Sequence, residues 1–464
     1  MKPLALPDPG THALIHGLGR FGGGREAVRY LARRGCRVRV CDRSAADDLV
    51  AVQRALREHD VDWQLGREDE ALLDGIELFV ANPAVPAEHP LLAAANRRGI
   101  AVTQELDLFL AAYPGRVVGV TVTNGKSTTA TLLHRALRRA GVDVLLGGNI
   151  GHSLLAEEAH WRSPQIAVVE MSSFQLERLA ATATVHGAVF ARVLEDHLDR
   201  HGTLASYRAA KGRLAAAARD FVIHCAEDEV AAAYPTPAAR RLRYALCEPA
   251  PASAGLSSGF IATRVGATAA EVIVHRDALH LIGDFQVENV LAASLAARCL
   301  GAAAGDIGFA MATAPPLPFR LQHIATIDGV RFYDNGVSTE AASTVSALRA
   351  LRRGHGRVHW VGGGKSKTGD HARLATEVSP WLDSAHLFGA SGAPLAACLT
   401  AIGATTHERL PEALASALAA AHPGDSVLFS PAHASFDQYP NFRARALEFH
   451  EWIRSRRAKS AVAG

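Results

Sequence analysis

A run of apolar and β-branched residues, VVGVTV (Val117 to Val122), passes directly into TNGKST and then into TATLLHRALRRA. The first six read as a buried strand, and Leu133, Ala136, Leu137 and Ala140 share one face of a helix. A strand that enters a helix through a glycine turn needs a crossover before the next parallel strand, so few architectures accept it. Similar apolar runs alternate with Ala/Leu/Arg segments of helical spacing along most of the chain, which predicts an α/β protein with mainly parallel sheets. The turn itself suits a phosphate: backbone N–H groups and Lys126 face the anion, and Ser127 Oγ can ligand Mg²⁺. A strict GxxxxGK(S/T) loop would require glycine where Val120 stands, and Gly119 comes one place too early.

The 464 residues exceed what one core supports. A first part is expected over residues 1–112, ending before the YPG turn at Tyr113. A second, 113–316, closes at the prolines of APPLP (Ala314 to Pro318), and a third covers 317–464 with strands at Val358–Val361, His386–Phe388 and Ser426–Phe429. With 49 Lys+Arg against 46 Asp+Glu, the formal charge of +3 is too small for a nucleic-acid scaffold but leaves room for small anionic ligands. The six cysteines lack CxxC spacing, as expected of thiols in a reducing cytoplasm. The N-terminus has no apolar core for a signal or anchor, and Ala292 to Ala314, interrupted by Arg298 and Asp306, reads as a buried helix followed by a loop. A soluble, cytoplasmic protein is expected.

HALIHGLGRFGGG (His12 to Gly24) places Gly17, Gly19 and Gly22 in GxGxxG spacing after a strand, and CRVRVCD ends at Asp42 about twenty residues on. Taken alone this suggests a nicotinamide cofactor, yet a UDP-linked ligand satisfies the same geometry. Three further stretches bear on the choice. LLGGNIG sets Asn149 among glycines, QIAVVE ends a buried-strand pattern on Glu170, and LEDHLDRHG gathers Glu195, Asp196, His197, Asp199 and His201. A carboxylate at a strand's carboxyl end, opposite the Lys-Ser loop, can hold Mg²⁺ or a metal-bound water.

In their order and spacing, the glycine-rich start, TNGKSTT, GGNIG, EMSSFQLE, EDHLDRHG with YRAAK after it, and LFSPAHASFDQYPNF resemble the Mur ligase family and span most of the chain. The resemblance implies a Rossmann-like first domain, a central ATPase domain and a Rossmann-like third domain. It further implies an ATP- and Mg²⁺-dependent amide ligase of peptidoglycan precursor synthesis. The branch implied adds D-glutamate to UDP-N-acetylmuramoyl-L-alanine through an acyl phosphate. Ligation of L-glutamate, a folylpolyglutamate-type ligase and a non-catalytic precursor-binding relative remain the alternatives. The implied partners are these small molecules, with neither nucleic acid nor membrane, and a monomer is the expected form.

The resemblance also assigns residues. The ATP loop would be Thr123, Asn124, Gly125, Lys126, Ser127 and Thr128, with Asn289, Arg320 and Asp334 as further nucleotide contacts. Lys126 would neutralise phosphate, Ser127 and Glu170 would hold one Mg²⁺, and His197 a second, assisted by Lys211 as a carbamate. Gly17, Gly19, Gly22, Asp42 and Asn82, with Pro83, would hold the UDP part, while Asn149, Ser172 and Gln175 face the phosphate or muramoyl part. Lys367, with Lys365 as competitor, and Ser435, Phe436 and Phe442 would clasp the glutamate. Four positions depart from the family pattern. Val122 replaces a usual glycine, Phe285 and Gln286 replace a His-Asn pair, and Gly336 stands where lysine or an apolar residue is common. At Val122 either the loop keeps an extended backbone or the phosphate grip weakens.

Overall fold

The computed structural model describes residues 6–19, 22–194, 196–250, 253–266, 269–354, 356–366 and 369–463. It holds three sheets, and the chain divides into two compact units: residues 1–278 with 288–312, and residues 279–287 with 313–464.

The first unit carries two sheets. One has strands β1 (His12–His16), β2 (Arg37–Asp42), β3 (Val61–Leu65), β4 (Leu78–Ala81) and β5 (Ala101–Thr103), ordered β3-β2-β1-β4-β5 and parallel throughout. The other contains β6 (Arg116–Thr121), β7 (Val144–Gly148), β8 (Ile166–Glu170), β9 (Val185–Phe190), β10 (Ala218–Cys225), β11 (Arg240–Tyr244), β12 (Ser253–Ser257), β13 (Phe260–Arg264) and β14 (Glu271–His275). Its order is β14-β13-β12-β11-β10-β9-β6-β8-β7, parallel from β12 to β7. Both sheets feed one buried apolar cluster, in which Ile15, Val28 and Leu31 join Leu154, Val169 and Leu176.

Small residues set how closely the layers approach. A Cβ on Gly119 in β6 would lie 2.6 Å from Leu214 Cδ1, so the glycine lets helix Leu204–Ala217 settle onto the strand. Past the helix Asp284–Cys299, residues 304–312 form a second helix instead of the expected loop. Ile307, Ala310 and Met311 bury one face of it, and Asp306 in its first turn meets Arg139 at 3.4 Å. The Ala/Gly content that suggested a loop here serves close packing, since a Cβ on Gly308 would strike the Ile273 carbonyl.

In the second unit, β15 (Gln322–Ile327), β16 (Val330–Asp334), β17 (Val358–Gly363), β18 (Ser384–Phe388), β19 (Gly403–His407) and β20 (Ser426–Ala432) follow the order β15-β16-β20-β17-β18-β19. Only the β15–β16 pairing is antiparallel. The three strands expected in this part fall within β17, β18 and β20. Val345, Leu348 and Leu374 fill one face, while Leu410, Leu414, Phe449 and Ile453 fill the other. No described helix is long and apolar enough to cross a membrane.

Candidate active site

Strands β9, β6 and β8 are neighbours whose carboxyl ends open on the same edge; the chain runs from β6 to β7 on one side and crosses from β8 to β9 on the other side of β6. Such a switch point is where open parallel sheets bind ligands. The Lys-Ser loop leaves β6 here and enters helix Lys126–Arg139 through Gly125, at φ 95°. Only glycine fits, because a Cβ would run into the Asn289 side chain, whose Oδ1 also accepts from Thr129 Oγ1 at 3.1 Å. Val122 is fully buried and is not among the described non-glycine residues with positive φ.

Lys126 Nζ donates to the carbonyls of Val122 at 2.8 Å and Thr123 at 2.9 Å, folding the side chain over its own loop. Ser127 and Thr128 are buried in the first turn of the helix, and Asn124 is exposed at the loop tip. Thr123 serves the loop's shape: its Oγ1 accepts from Leu194 N at 2.9 Å and lies 2.9 Å from Tyr207 Oη.

Glu170 ends β8 and is 2% exposed. Asn149 Nδ2 donates to its Oε1 at 2.8 Å, while Oε2 is buried with no hydrogen-bond partner among the described residues. A carboxylate oxygen in that condition is costly unless something cationic meets it, and a hard divalent ion is the group it fits. Ser172 and Gln175 close a capping box on the short helix Ser173–Glu177, Ser172 N donating to Gln175 Oε1 at 2.9 Å.

Lys211 lies one turn before Leu214 and is 1% exposed. Its Nζ donates to Thr121 Oγ1 at 3.1 Å and to the Val122 carbonyl at 3.0 Å, 4.9 Å from the centre of the Tyr207 ring. Burial, reinforced by the charge of Lys126, holds this amine well below the ordinary lysine range. The shift favours the uncharged, nucleophilic form of the amine. His197 has φ 53°, its ring stacks edge-on against Phe174 at 5.0 Å, and Asp196 lies 3.3 Å from its Nε2. Of the acidic cluster around it, Glu195 lies outside the described residues.

The glycine turn of the first sheet shares a cavity with these groups. About 800 Å³ is bordered by Gly17, Gly19, Asp42 and Asn82 at one side and by Asn149, Ser172, Gln175, Lys126, His197 and Lys211 at the other. Glu170, Ser127 and Thr123 stand outside this lining, and so does Gly22, which begins helix Gly23–Arg33 with φ 85°. Both Asp42 oxygens hold the turn, Oδ2 accepting from Leu18 N and Oδ1 from Ser44 N, each at 2.9 Å. Gly24, which spacing alone did not single out, is the glycine of close packing: a Cβ there would lie 2.6 Å from the Leu18 backbone. Three consecutive glycines hid it. Tyr207 also escaped notice, although it sits four residues before Lys211, one helical turn away.

His16, Glu68 and His89 border the same cavity, with ligand atoms within 4.8 Å of one another. Their contacts also form a hydrogen-bonded network. His89 Nδ1 accepts from Leu91 N, so its Nε2 carries the proton directed at Glu68, and His16 Nε2 lies 2.8 Å from the same carboxylate.

In the second unit, Asp334 ends β16 fully buried, its Oδ2 2.6 Å from His450 Nε2 and its Oδ1 accepting from Gly336 N at 2.7 Å. Gly336 is a packing requirement, since a Cβ would sit 2.9 Å from Ala446 Cβ. Phe285 packs against the core of this unit, and Gln286 is buried. Arg320 is flanked by Phe319 and Leu321, both with positive φ, and Phe319 meets Phe442 at 6.2 Å. Lys365 exchanges backbone hydrogen bonds with Ala434, which brings its loop beside Ser435. Ser435 is buried, Phe436 is 62% exposed, and Lys367 lies outside the described residues.

Three family domains match the chain: a Mur ligase MurD-like N-terminal domain over residues 11–104, a Mur ligase middle domain over 120–297, and a Mur ligase glutamate ligase domain over 319–433. The chain is 32% identical over 448 residues to the UDP-N-acetylmuramoylalanine–D-glutamate ligase of Solibacter usitatus, covering 96% of this chain and 98% of the relative. The enzyme of the same name from Paraburkholderia xenovorans is 33% identical over 485 residues, covering 94% of each chain. Among solved structures, the UDP-N-acetylmuramate-alanine ligase MurC of Thermotoga maritima superposes with a TM-score of 0.59 at 15% identity, covering 96% and 99% of the two chains. MurF ligase from the same organism, in complex with ADP, gives 0.58 at 17% identity, covering 97% and 98%. These two likenesses concern the fold.

Proposed function

The chain belongs to the Mur ligase family, and on that footing we propose that it is an ATP-dependent ligase joining D-glutamate to UDP-N-acetylmuramoyl-L-alanine in peptidoglycan precursor synthesis. Near-full-length identity to ligases of that name supports the substrate pair. The observation that carries the reading is the single cavity lined by Gly17 and Gly19 of a nucleotide-type turn and by Lys126, His197 and Lys211. A nicotinamide reading leaves the Lys-Ser loop, Glu170 and His197 unexplained.

A free carboxylate is a poor electrophile at neutral pH, so the γ-phosphoryl group of ATP is transferred to it, giving an acyl phosphate and ADP. The amine of glutamate then attacks the acyl carbon, the C–O bond to phosphate breaks, inorganic phosphate leaves, and the nitrogen gives up a proton. Charge neutralisation and positioning carry both steps. Lys126 is assigned the phosphates, swinging off the Val122 and Thr123 carbonyls that now hold it. Mg²⁺ supplies neutralisation of the phosphate oxygens; Glu170, Ser127 and His197 are its assigned holders, and the unpartnered Oε2 of Glu170 fits that assignment. Lys211 is assigned as a carbamate ligand, a role that suits a buried amine held below the ordinary lysine range. Asp42, Gly22 and Asn82 keep the UDP turn in shape, while Asn149, Ser172 and Gln175 are assigned to the phosphate or the muramoyl part.

Arg320, Asp334 and Asn289 are assigned to the nucleotide, and Lys367 or Lys365 with Ser435, Phe436 and Phe442 to glutamate. The corresponding working parts are residues 1–112 for the precursor, 113–316 for ATP and 317–464 for the amino acid, acting as a monomer in the cytoplasm. Turnover tests this reading directly. Formation of UDP-N-acetylmuramoyl-L-alanyl-D-glutamate with equimolar phosphate release supports it, and turnover of a folate instead would refute it.

A further inference from the structure

Two arginines of the central-sheet segments grip one loop of the first sheet. Arg178 Nη1 donates to the Asn82 carbonyl at 3.1 Å and its Nη2 to the Val85 carbonyl. Arg200 Nη2 donates to the Val85 carbonyl at 2.9 Å and reaches that of Pro83 at 3.4 Å, while Glu177 Oε2, 3.0 Å away, balances its charge. The gripped segment, Asn82 to Pro86, forms a wall of the cavity and presses on the glycine turn: a Cβ on Gly17 would lie 3.2 Å from Asn82 Cβ. Arg200 has a second contact that Arg178 lacks. Its guanidinium lies 5.2 Å from the centre of the Phe174 ring, and Phe174 packs edge-on against His197 at 5.0 Å. Val85 N donates to the Asn82 carbonyl at 3.0 Å and closes the turn locally, and the planar five-donor side chains add the bonds that hold this wall from outside the loop.

We propose that Arg178 and Arg200 are positioning residues that set the precursor-binding wall, and that Arg200 additionally couples that wall to His197. The inference rests on the ligase reading for its substrate. It predicts unequal consequences for two otherwise similar arginines. Arg178→Gln raises the KM for UDP-N-acetylmuramoyl-L-alanine about tenfold, as loss of charged hydrogen bonds to two carbonyls implies. Its KM for ATP and its Mg²⁺ requirement stay within about twofold of the parent, an allowance smaller than the effect of one net hydrogen bond. Arg200→Gln raises the precursor KM similarly and also moves the Mg²⁺ activation midpoint upward by about threefold or more, since the support of Phe174 beneath His197 is lost.

The experiment measures both KM values, kcat and the Mg²⁺ midpoint for the full chain and the two variants, with equilibrium binding of the precursor alongside. Arg178→Lys and Arg200→Lys, which keep the charge but lose the fork, are expected to restore precursor affinity only in part and cover the case of a glutamine variant that does not fold. A rise in both substrates' KM together, or a fall in kcat with the precursor KM unchanged, overturns the positioning role. Equal Mg²⁺ midpoints for the two glutamine variants overturn the coupling. If the parent chain binds the precursor but releases no phosphate, the ligase reading fails while the binding series still decides the clamp.

Discussion

At the scale of single residues, the site is defined by groups whose hydrogen bonds are incomplete. Among the described residues, Glu170 Oε2 has no hydrogen-bond partner and Lys211 has no carboxylate at bonding distance. Glu170→Gln is expected to lower kcat by a hundredfold or more with the fold intact, and a melting curve matching the parent's separates the two effects. Lys211→Ala should abolish activity and also the bicarbonate stimulation expected of a carbamate. A buried acid gives a prediction about stability. Asp107 accepts from Ala180 N at 3.2 Å, and burial pushes its carboxyl up to about 7. With the folded value above the unfolded one, the neutral acid costs nothing below about pH 4, and stability is lost as pH rises from there to about 7. Asp107→Asn keeps the acceptor, so its melting temperature should exceed the parent's at pH 8 and match it near pH 4. Single residues were also where the sequence was least informative. Gly336 and Phe285 looked like losses of ligand contacts, yet both answer to packing neighbours distant in sequence.

Among the elements, local pattern went a long way. VVGVTV, QIAVVE and CRVRVCD became β6, β8 and β2 because a continuous apolar run between glycine turns has few alternatives to a buried parallel strand. Patterns failed where composition resembled that of a loop, as in the helix at residues 304–312, whose small residues are contact points. The motif order also revealed which side chains gather at the switch point, but not that Thr123, Asp42 and Ser172 spend their polar atoms on loop geometry. Closeness between β6 and helix Leu204–Ala217 supplies a test. Gly119→Ala pushes Leu214 outward and should cost about 1–3 kcal/mol in chemical denaturation. Lys211 rides on that helix, so activity should fall by more than the loss of folded protein explains.

On the scale of the whole molecule, three sheets make two compact units, because the first and central sheets share one apolar cluster. Cutting the chain after Ala112 would expose that cluster. Calorimetry of the full chain should accordingly show two cooperative transitions, and saturating UDP-N-acetylmuramoyl-L-alanine should raise one of them. The central claim is that the cavity joining the glycine turn to Lys126 and Lys211 is one ligase site. The measurement that tests it most directly is Mg²⁺-dependent phosphate release from ATP with UDP-N-acetylmuramoyl-L-alanine, comparing D-glutamate, L-glutamate and no amino acid. Release with D-glutamate alone is the predicted result, whereas release with L-glutamate alone, or none with either amino acid, would contradict it.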